Sequence, residues 1–431
     1  MTVTRSGGSP SRQRILMLST EYPPHIVGGL GRHVHALSMA LARAGHDVTV
    51  VTRHSPGGLL EEWTDGVRIV RAAGEPPAVP VATSSVLART MAVDHMITGA
   101  ALRAARNADF DVIHAHDWLV AHTAVTLKEH LGLPLVATIH ATEAGRHQGW
   151  LPDETSRGIH SVEWWLSRAA ARVVVCSSYM KWEVGRLFGV PPDKISVVPN
   201  GVRSAEWEAP QHAVAATRAR YAGPGPLIGF AGRLVHEKGV QDLLRAMPTL
   251  CREHPGLRLV IAGNGPCLKE HQEQAERMGL RRAVSFAGFM TEQDLAAMFA
   301  AADVAVVPSL YEPFGLVALE AAASGVPLAV AATGGLAEII QPGISGMTFP
   351  CGDPDSLACA VSALLSDEPQ ARRLAAEAKR MVRHRYSWDV IADRSAATYA
   401  AAGLQGPAAL DGDDRLRMVV PEGNLLTCTS T

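Results

Sequence analysis

Residues 14–52 read RILMLSTEYPPHIVGGLGRHVHALSMALARAGHDVTVVT, and this stretch decides the fold. Its first seven residues, Arg14 to Thr20, form a short apolar run of the kind found in strands buried on both faces. From Leu30 to Ala44 the apolar residues Leu30, Val34, Leu37 and Leu41 recur at helical spacing along one face. His46 to Thr52 is a second strand-like run rich in β-branched residues. Strand, helix and strand in that order, with strands apolar on both sides, predict a parallel sheet covered by helices.

The pattern continues along the chain. Further strand candidates are GVRIVRA (Gly66 to Ala72), DVIHAHD (Asp111 to Asp117), PLVATIH (Pro134 to His140), RVVVCS (Arg172 to Ser177) and ISVVPN (Ile195 to Asn200). Residues 201–226 hold no clear strand and end in the turn-rich YAGPGP. The alternation then restarts with LIGFAGR (Leu227 to Arg233), LRLVIAGN (Leu257 to Asn264), AVSFAGF (Ala283 to Phe289), DVAVVPS (Asp303 to Ser309) and PLAVAAT (Pro327 to Thr333). GMTFP, Gly346 to Pro350, reads as a short edge strand. The expected class is α/β, with two Rossmann-like, doubly wound parallel-sheet domains facing a cleft. The domains are placed at 13–200 and 227–402, with a linker at 201–226 and disordered tails at 1–12 and 403–431. The last helix, about Trp388 to Ala402, is expected to cross back to the first domain.

Composition narrows the function. The chain has 431 residues, which suits two or three domains with cores large enough to need neither disulfides nor structural metal. The 40 Lys+Arg and 42 Asp+Glu nearly cancel, which argues against a general nucleic-acid binder and a polybasic membrane anchor. A charged fraction of 19% beside 47% hydrophobic residues excludes wholesale disorder. Cys176, Cys251, Cys267, Cys351, Cys359 and Cys428 form no C-x-x-C pair, so reduced thiols are expected rather than a disulfide framework or zinc site. No apolar run is long enough to span a bilayer, and the polar start MTVTRSGGSPSRQR lacks a secretory h-region. The expectation is a cytoplasmic protein with no stable membrane insertion and no nucleic-acid partner.

Open parallel sheets bind ligands at the carboxyl ends of their strands. The unusual polar residues fall there: Glu21 with the glycine loop, His114, His116, Asp117 and His140, then Arg233, Asn264 and Glu312. Any one of them is explained by loops being polar. Their agreement points to a site between the two domains. In YPPHIVGGLGR, Gly28 and Gly29 precede a helix, where backbone amides and the helix start favour an anion. The spacing is not that of a dinucleotide G-x-G-x-x-G turn. In FAGRLVHEKG, Arg233 follows a strand and Lys238 is expected to open the next helix, two cations suited to a diphosphate. In SLYEPFGLVALEAAASGVP, Glu312 lies in a loop and Phe314, Gly315 and Leu316 enter a helix with free amides. Glu320, eight residues after Glu312, can accept both hydroxyl hydrogens of a ribose diol. A tight turn, solvated cations and a capped helix with one buried Glu are the plain alternatives.

Together EYPP…GGLGRHV, HAHDW, HATE, PNGV, GRL…EKG and EPFGLVALEA resemble the family-four retaining glycosyltransferases of GT-B architecture, a group that includes bacterial glycogen-synthase-like enzymes. The likeness spans about residues 13–402. HAHDWLVAH and HATEAGRHQGW look most like the actinobacterial α-1,4-glucosyltransferases of glycogen and methylglucose polysaccharide synthesis. The resemblance implies that Arg233 and Lys238 neutralise the donor diphosphate and that Gly28 and Gly29 meet the same phosphates. It implies that Glu320 holds the ribose and that Glu312, with the amides of Phe314, Gly315 and Leu316, holds the donor sugar. It places His140 beside the anomeric centre and Asp117 at the acceptor. It puts Phe289 and Met290 where the family lodges the base.

The donor is then a UDP-, ADP- or GDP-hexose, no cofactor is required, and charge on the leaving phosphate is met without a metal. Asp109 with Asp111 starts a strand at its wrong end, and Asp353 with Asp355 lies in a turn, so neither is read as a metal site. Anomeric configuration is expected to be retained, by front-face displacement. Five of the eight tryptophans fall between residues 118 and 182, and Trp150 is the best candidate to stack on an acceptor sugar. Its loop also carries Thr142, Glu143, Arg146 and His147, a cluster read as too polar for the core and assigned to the acceptor. Two other readings keep the fold. One is transfer to a small specialised metabolite (at a hydroxyl or thiol) or to a lipid; the other is a nucleotide-sugar epimerase.

Overall fold

The computed structural model describes residues 12–26, 28–54, 58–72 and 85–404. The first sheet domain runs β1 (Arg14–Leu18), α1 (Gly29–Arg43), β2 (Asp47–Thr52), β3 (Glu61–Thr64), β4 (Val67–Arg71), α2 (Val86–Arg106), β5 (Val112–His116), α3 (Ala121–Leu131), β6 (Leu135–Ile139), α4 (Glu143–Arg146), α5 (Glu154–Ala169), β7 (Arg172–Val175), α6 (Ser178–Phe188) and β8 (Ile195–Val197). After α7 (Gln211–Tyr221) the second follows with β9 (Leu227–Ala231), α8 (Val240–Glu253), β10 (Arg258–Ala262), α9 (Leu268–Arg277), β11 (Val284–Gly288), α10 (Glu292–Ala301), β12 (Val304–Val307), α11 (Leu316–Ser324), β13 (Leu328–Ala331), α12 (Leu336–Ile339) and β14 (Met347–Phe349). Three helices close the described chain: α13 (Pro354–Ser366), α14 (Glu368–Arg385) and α15 (Trp388–Gly403).

The strand orders are β3-β4-β2-β1-β5-β6-β7-β8 and β11-β10-β9-β12-β13-β14. Both sheets double back at their first strand, which is the doubly wound order. Side-chain alternation in β1 shows how the layers form. Ile15 and Met17 point toward α1 and α15, packing with Val34, Leu37, Leu41 and Ile391. Leu16 and Leu18 point the other way, toward Ile97 and Ala100 of α2. A strand covered on both faces has no room for polar residues, hence its unbroken apolar run.

Three sequence expectations are corrected. First, β3 was not anticipated: it pairs antiparallel with β4, Trp63 opposite Arg68, through an Asp65-Gly66 turn with both residues at positive φ. EEWT has no apolar stripe because it is a largely exposed edge, and the Asp-Gly pair was its readable mark. Second, residues 201–226 are not a free linker. Trp207 is buried and its ring lies 6.2 Å from that of Phe299, α7 packs along α10, and the Arg218 guanidinium donates to the Ala301 carbonyl at 2.7 Å. Third, Arg12 is not tail, since its Nε donates to Asp47 at 2.9 Å, and Gly403 ends α15. Residues 1–11 and 405–431, Cys428 among them, lie outside the described residues. Among the described residues no helix is long and apolar enough to cross a membrane.

The closing helix does cross back. Trp388 packs its ring against His33, at 5.3 Å between centroids, and the Tyr399 hydroxyl lies 2.8 Å from His114 Nδ1. A Cβ on Gly201 would stand 2.7 Å from the Trp388 ring, so the chain returns at closest approach. Trp388 therefore staples the second half of the chain to the first sheet. Trp388→Ala is expected to lower stability by about 3–5 kcal/mol, the usual cost of emptying a large aromatic site. Guanidinium unfolding measures it, and a wild-type midpoint would contradict this role.

Candidate active site

The cleft floor on the second domain is built by the turns after β9 and β12. Lys238 Nζ donates to Glu312 Oε2 at 2.7 Å, and the Ser309 hydroxyl donates to the same oxygen at 3.1 Å. Lys238 does not open α8, as its sequence position suggested. It ends a short 3₁₀ turn, His236–Lys238, and the helix starts only after Gly239. Gly239 has φ +70°, and a Cβ there would lie 1.9 Å from the Pro308 carbonyl oxygen, so the close approach of two loops breaks the helix at this glycine. Arg233 is largely exposed beside Glu237 at 3.4 Å.

Two helix starts meet above this floor. Gly29 begins α1 and Leu316 begins α11, and a Cβ on Gly29 would be only 3.9 Å from Leu316 Cδ2. The starts of two helices, one per domain, thus approach each other across the Leu316 side chain, each bringing the positive end of its dipole. Gly315 supplies the left-handed turn into α11, φ +112°, pressed against Leu336. Gly28 N–H is already engaged, donating to Glu21 Oε2 at 3.1 Å. The Phe314 side chain is buried against Tyr386 and reaches the site only through its backbone.

Glu320 lies one turn into α11, buried, and accepts from Arg32 Nη1 of α1 at 2.8 Å. Burial pushes its carboxyl up to about 7, with Arg32 opposing the shift. The pair borders a cavity of about 350 Å³ lined by Arg32, His33, Arg203, Glu206, Glu292 and Glu320. Arg32 is a site residue that sequence reading did not assign to the donor. Its place one helical turn after Gly28 was the available signal.

On the first domain, Asp117 adopts φ +62°, a strained conformation for a residue with a Cβ. Its Oδ1 accepts from His140 N at 2.8 Å, and burial pushes its carboxyl up to about 6. His140 is pushed down to about 4 by burial, with Arg146 adding to the shift, so its imidazole is neutral at pH 7. His140 Nε2 lies 3.2 Å from His116 Nδ1, with ring centres 5.5 Å and planes 22° apart. These values put both nitrogens on the line between the rings, which is an edge-to-edge N–H···N bond. His33, His116 and His140 bring nitrogens within 4.8 Å of one another, a grouping a metal could use. The nearest nitrogens of His116 and His140 are engaged with each other in that hydrogen bond.

The acceptor assignments divide. Arg146, His147 and Trp150 are exposed, the first two beside the Glu143 carboxylate at 4.0 and 3.3 Å. Thr142 and Glu143 are not, so the view that this cluster is too polar for the core is corrected. Thr142 is fully buried; its hydroxyl donates to Glu183 at 2.6 Å and accepts Gly145 N–H at 2.9 Å. Glu143 N–H donates to both oxygens of buried Glu163, at 3.0 and 3.1 Å, and its carboxylate accepts from Ser156 Oγ at 2.9 Å. Hydrogen bonding makes these polar groups compatible with burial. On the donor side Asn264 and Phe289 are exposed, Phe289 by 80%, and Met290 packs partly on the core.

Two facing doubly wound domains with charged strand ends across a cleft define the architecture of the GT-B glycosyltransferases. The profile described as Glycosyltransferase Family 4 matches residues 27–206, and that described as Glycosyl transferases group 1 matches residues 219–381. The glycogen synthase of Mycobacterium tuberculosis is 44% identical over 401 residues, covering 90% of this chain and 95% of that protein. A D-inositol 3-phosphate glycosyltransferase of Streptomyces scabiei is 31% identical over 90% of this chain and 91% of its own length. Among solved structures, the sucrose-phosphate synthase of Thermosynechococcus elongatus superimposes with TM-score 0.77 at 25% identity, covering 92% of this chain and all of that one. The chain belongs to the group 1, family 4 glycosyltransferases, and it is an enzyme of that class.

The neutral histidines carry a stability signature. Burial holds His33 well below its ordinary value, so the unfolded chain takes up a proton near pH 6.5 that the folded chain refuses. Its contribution to stability is present above pH 6.5 and is lost as pH falls. The melting-temperature difference between wild type and His33→Gln should therefore shift in favour of the variant between pH 7 and pH 5. A difference constant with pH would show that His33 is not held neutral.

Proposed function

We propose that this enzyme moves a glucosyl group from a nucleoside-diphosphate sugar to a hydroxyl of a glucan or oligosaccharide, forming an α-1,4 linkage with retained configuration. The observation that carries the donor half is the approach of the α1 and α11 starts at Gly29 and Leu316, with Lys238 held on Glu312 in the loop before α11. A departing diphosphate accumulates negative charge, and preorganised amides and cations at that point lower its cost. Arg233 adds a second cation, so the reading assigns no role to a metal or other cofactor. The 44% identity to a glycogen synthase favours a glucan acceptor.

The remaining roles follow from the contacts. Glu320 exchanges Arg32 for the ribose diol when donor enters. Glu312, already oriented by Lys238 and Ser309, accepts from donor-sugar hydroxyls. Neutral His140 is available to hydrogen-bond the sugar at its anomeric end. Asn264, Phe289 and Met290 border the base. Asp117, Arg146, His147 and Trp150 border the acceptor. Glu312 is tied to Lys238 and Asp117 to His140 N–H, so neither is presented as a covalent nucleophile. Front-face displacement, in which the leaving phosphate oxygen takes the acceptor proton, fits this arrangement. The enzyme is placed in the cytoplasm, where sugar nucleotides and growing glucans coexist.

The test is nucleotide release from UDP-, ADP- and GDP-glucose, with and without maltooligosaccharides. Release that requires the glucan, survives EDTA and gives an α-anomeric product by proton NMR is expected. A β-linked product would overturn retention. Release only with a phosphorylated polyol would move the acceptor to the small-metabolite class, and interconversion of free sugar nucleotides would indicate an epimerase. Glu312→Ala is expected to lower transfer by about 10²–10³-fold with the fold intact. Wild-type turnover in that variant would remove Glu312 from the site.

A further inference from the structure

The two residues flanking Glu312 are held by the opposite domain. Tyr311 belongs to the second domain by its backbone, which donates to the Glu237 carbonyl at 3.3 Å. Its side chain leaves that domain and is buried within the first. The Tyr311 hydroxyl donates to Glu183 Oε1 at 2.9 Å and faces Thr142 N–H at 3.4 Å. Glu183 Oε1 also accepts the Thr142 hydroxyl at 2.6 Å, and Thr142 caps α4, the first turn of the acceptor loop. On the other flank, Ser177 Oγ donates to the Pro313 carbonyl at 2.7 Å. The start of α6, which carries Glu183, is itself capped from the second domain: Glu338 accepts from Ser178 N at 2.9 Å and Tyr179 N at 2.7 Å.

The acceptor loop is shaped to admit this side chain. A Cβ on Gly145 would lie 2.3 Å from the Tyr311 hydroxyl and 2.5–2.7 Å from its ring, distances that no side chain tolerates. Thr142 is two residues after His140. One phenol thus joins the loop that carries the donor-side carboxylate to the loop that begins at the anomeric histidine.

We infer that Tyr311, through Glu183 and Thr142, is a positioning residue that sets the spacing between the donor loop and the acceptor loop across the cleft. The inference deepens the functional reading above and rests on it for the roles of Glu312 and His140. Tyr311 touches no reacting atom in this scheme. It fixes where Glu312 stands relative to His140, and misplacement of reacting groups by about 1 Å is enough to cost on the order of 10²-fold in rate.

Two measurements test it on the full-length enzyme. Hydrogen exchange, which needs no turnover, should show Tyr311→Phe raising exchange about tenfold in both 142–150 and 311–316, with the sheets unchanged. Wild-type exchange in either segment overturns the clamp, whatever the enzyme transfers. In steady-state assays with UDP-glucose or ADP-glucose and maltooligosaccharides, Tyr311→Phe and Glu183→Gln should each lower kcat by about 10–100-fold with donor KM within about twofold. The double variant should lose little more than either single one, because both act through one hydrogen bond. Wild-type kcat, additive losses, or a donor KM rising in step with a falling kcat would each contradict a positioning role. Absence of wild-type transfer with every donor would instead count against the functional reading and leave the exchange result to stand alone.

Discussion

The constraint on which the site depends is the approach of two helix starts, α1 at Gly29 and α11 at Leu316, across the cleft. Each exposes amides with no partner inside its helix, and each brings a positive dipole end. Two such ends facing one another favour an anion between or beside them. The protein supplies its own anions and cations nearby: Glu21 on Gly28 N–H, Glu320 on Arg32, and Glu312 on Lys238. Every charged group expected to hold donor, Arg233 included, is therefore paired in advance. Donor binding is then an exchange of partners, and its net strength is a difference between two similar sets of interactions.

The first domain solves a related problem with neutral groups. His33, His114, His116 and His140 cluster at the ends of β5 and β6, and burial lowers all four. Four neighbouring imidazolium ions would be untenable, so they persist as neutral donors and acceptors. The His140–His116 bond fixes the ring while the Asp117 carboxylate fixes its backbone. Glu163 and Glu183 do the same for the 142–150 loop, each buried and raised, each accepting hydrogen bonds from amides or hydroxyls. The 142–150 loop is thus held at its root by buried hydrogen bonds, while Arg146, His147 and Trp150 are exposed at its tip.

Much of this was legible from periodicity and strand ends. Apolar runs identify both sheets because strands covered on two faces tolerate almost nothing else. The positions of His140, Glu312 and Arg233 follow from the rule that ligands gather at carboxyl ends, and that of Glu320 from its spacing to Glu312 along the next helix. What escaped has definite causes. The edge strand Glu61–Thr64 lacks an apolar face because half its surface is solvent. The helix Gln211–Tyr221 buries no residue fully, so it carries no amphipathic stripe and reads as linker. Thr142 and Glu143 look like ligand-binding residues because composition does not reveal partners such as Glu183 and Glu163, which lie far along the chain. Arg32 and Tyr311 act across the cleft, and contacts between domains leave no local pattern to read.

A crystal structure with bound UDP or ADP tests the central claim most directly. The account predicts the diphosphate at the junction of the two helix starts, within hydrogen-bond reach of the Gly29 and Leu316 amides and of Lys238, with Glu320 released from Arg32 onto the ribose. A diphosphate bound elsewhere, with the Arg32–Glu320 pair intact and the junction filled by protein alone, would contradict it.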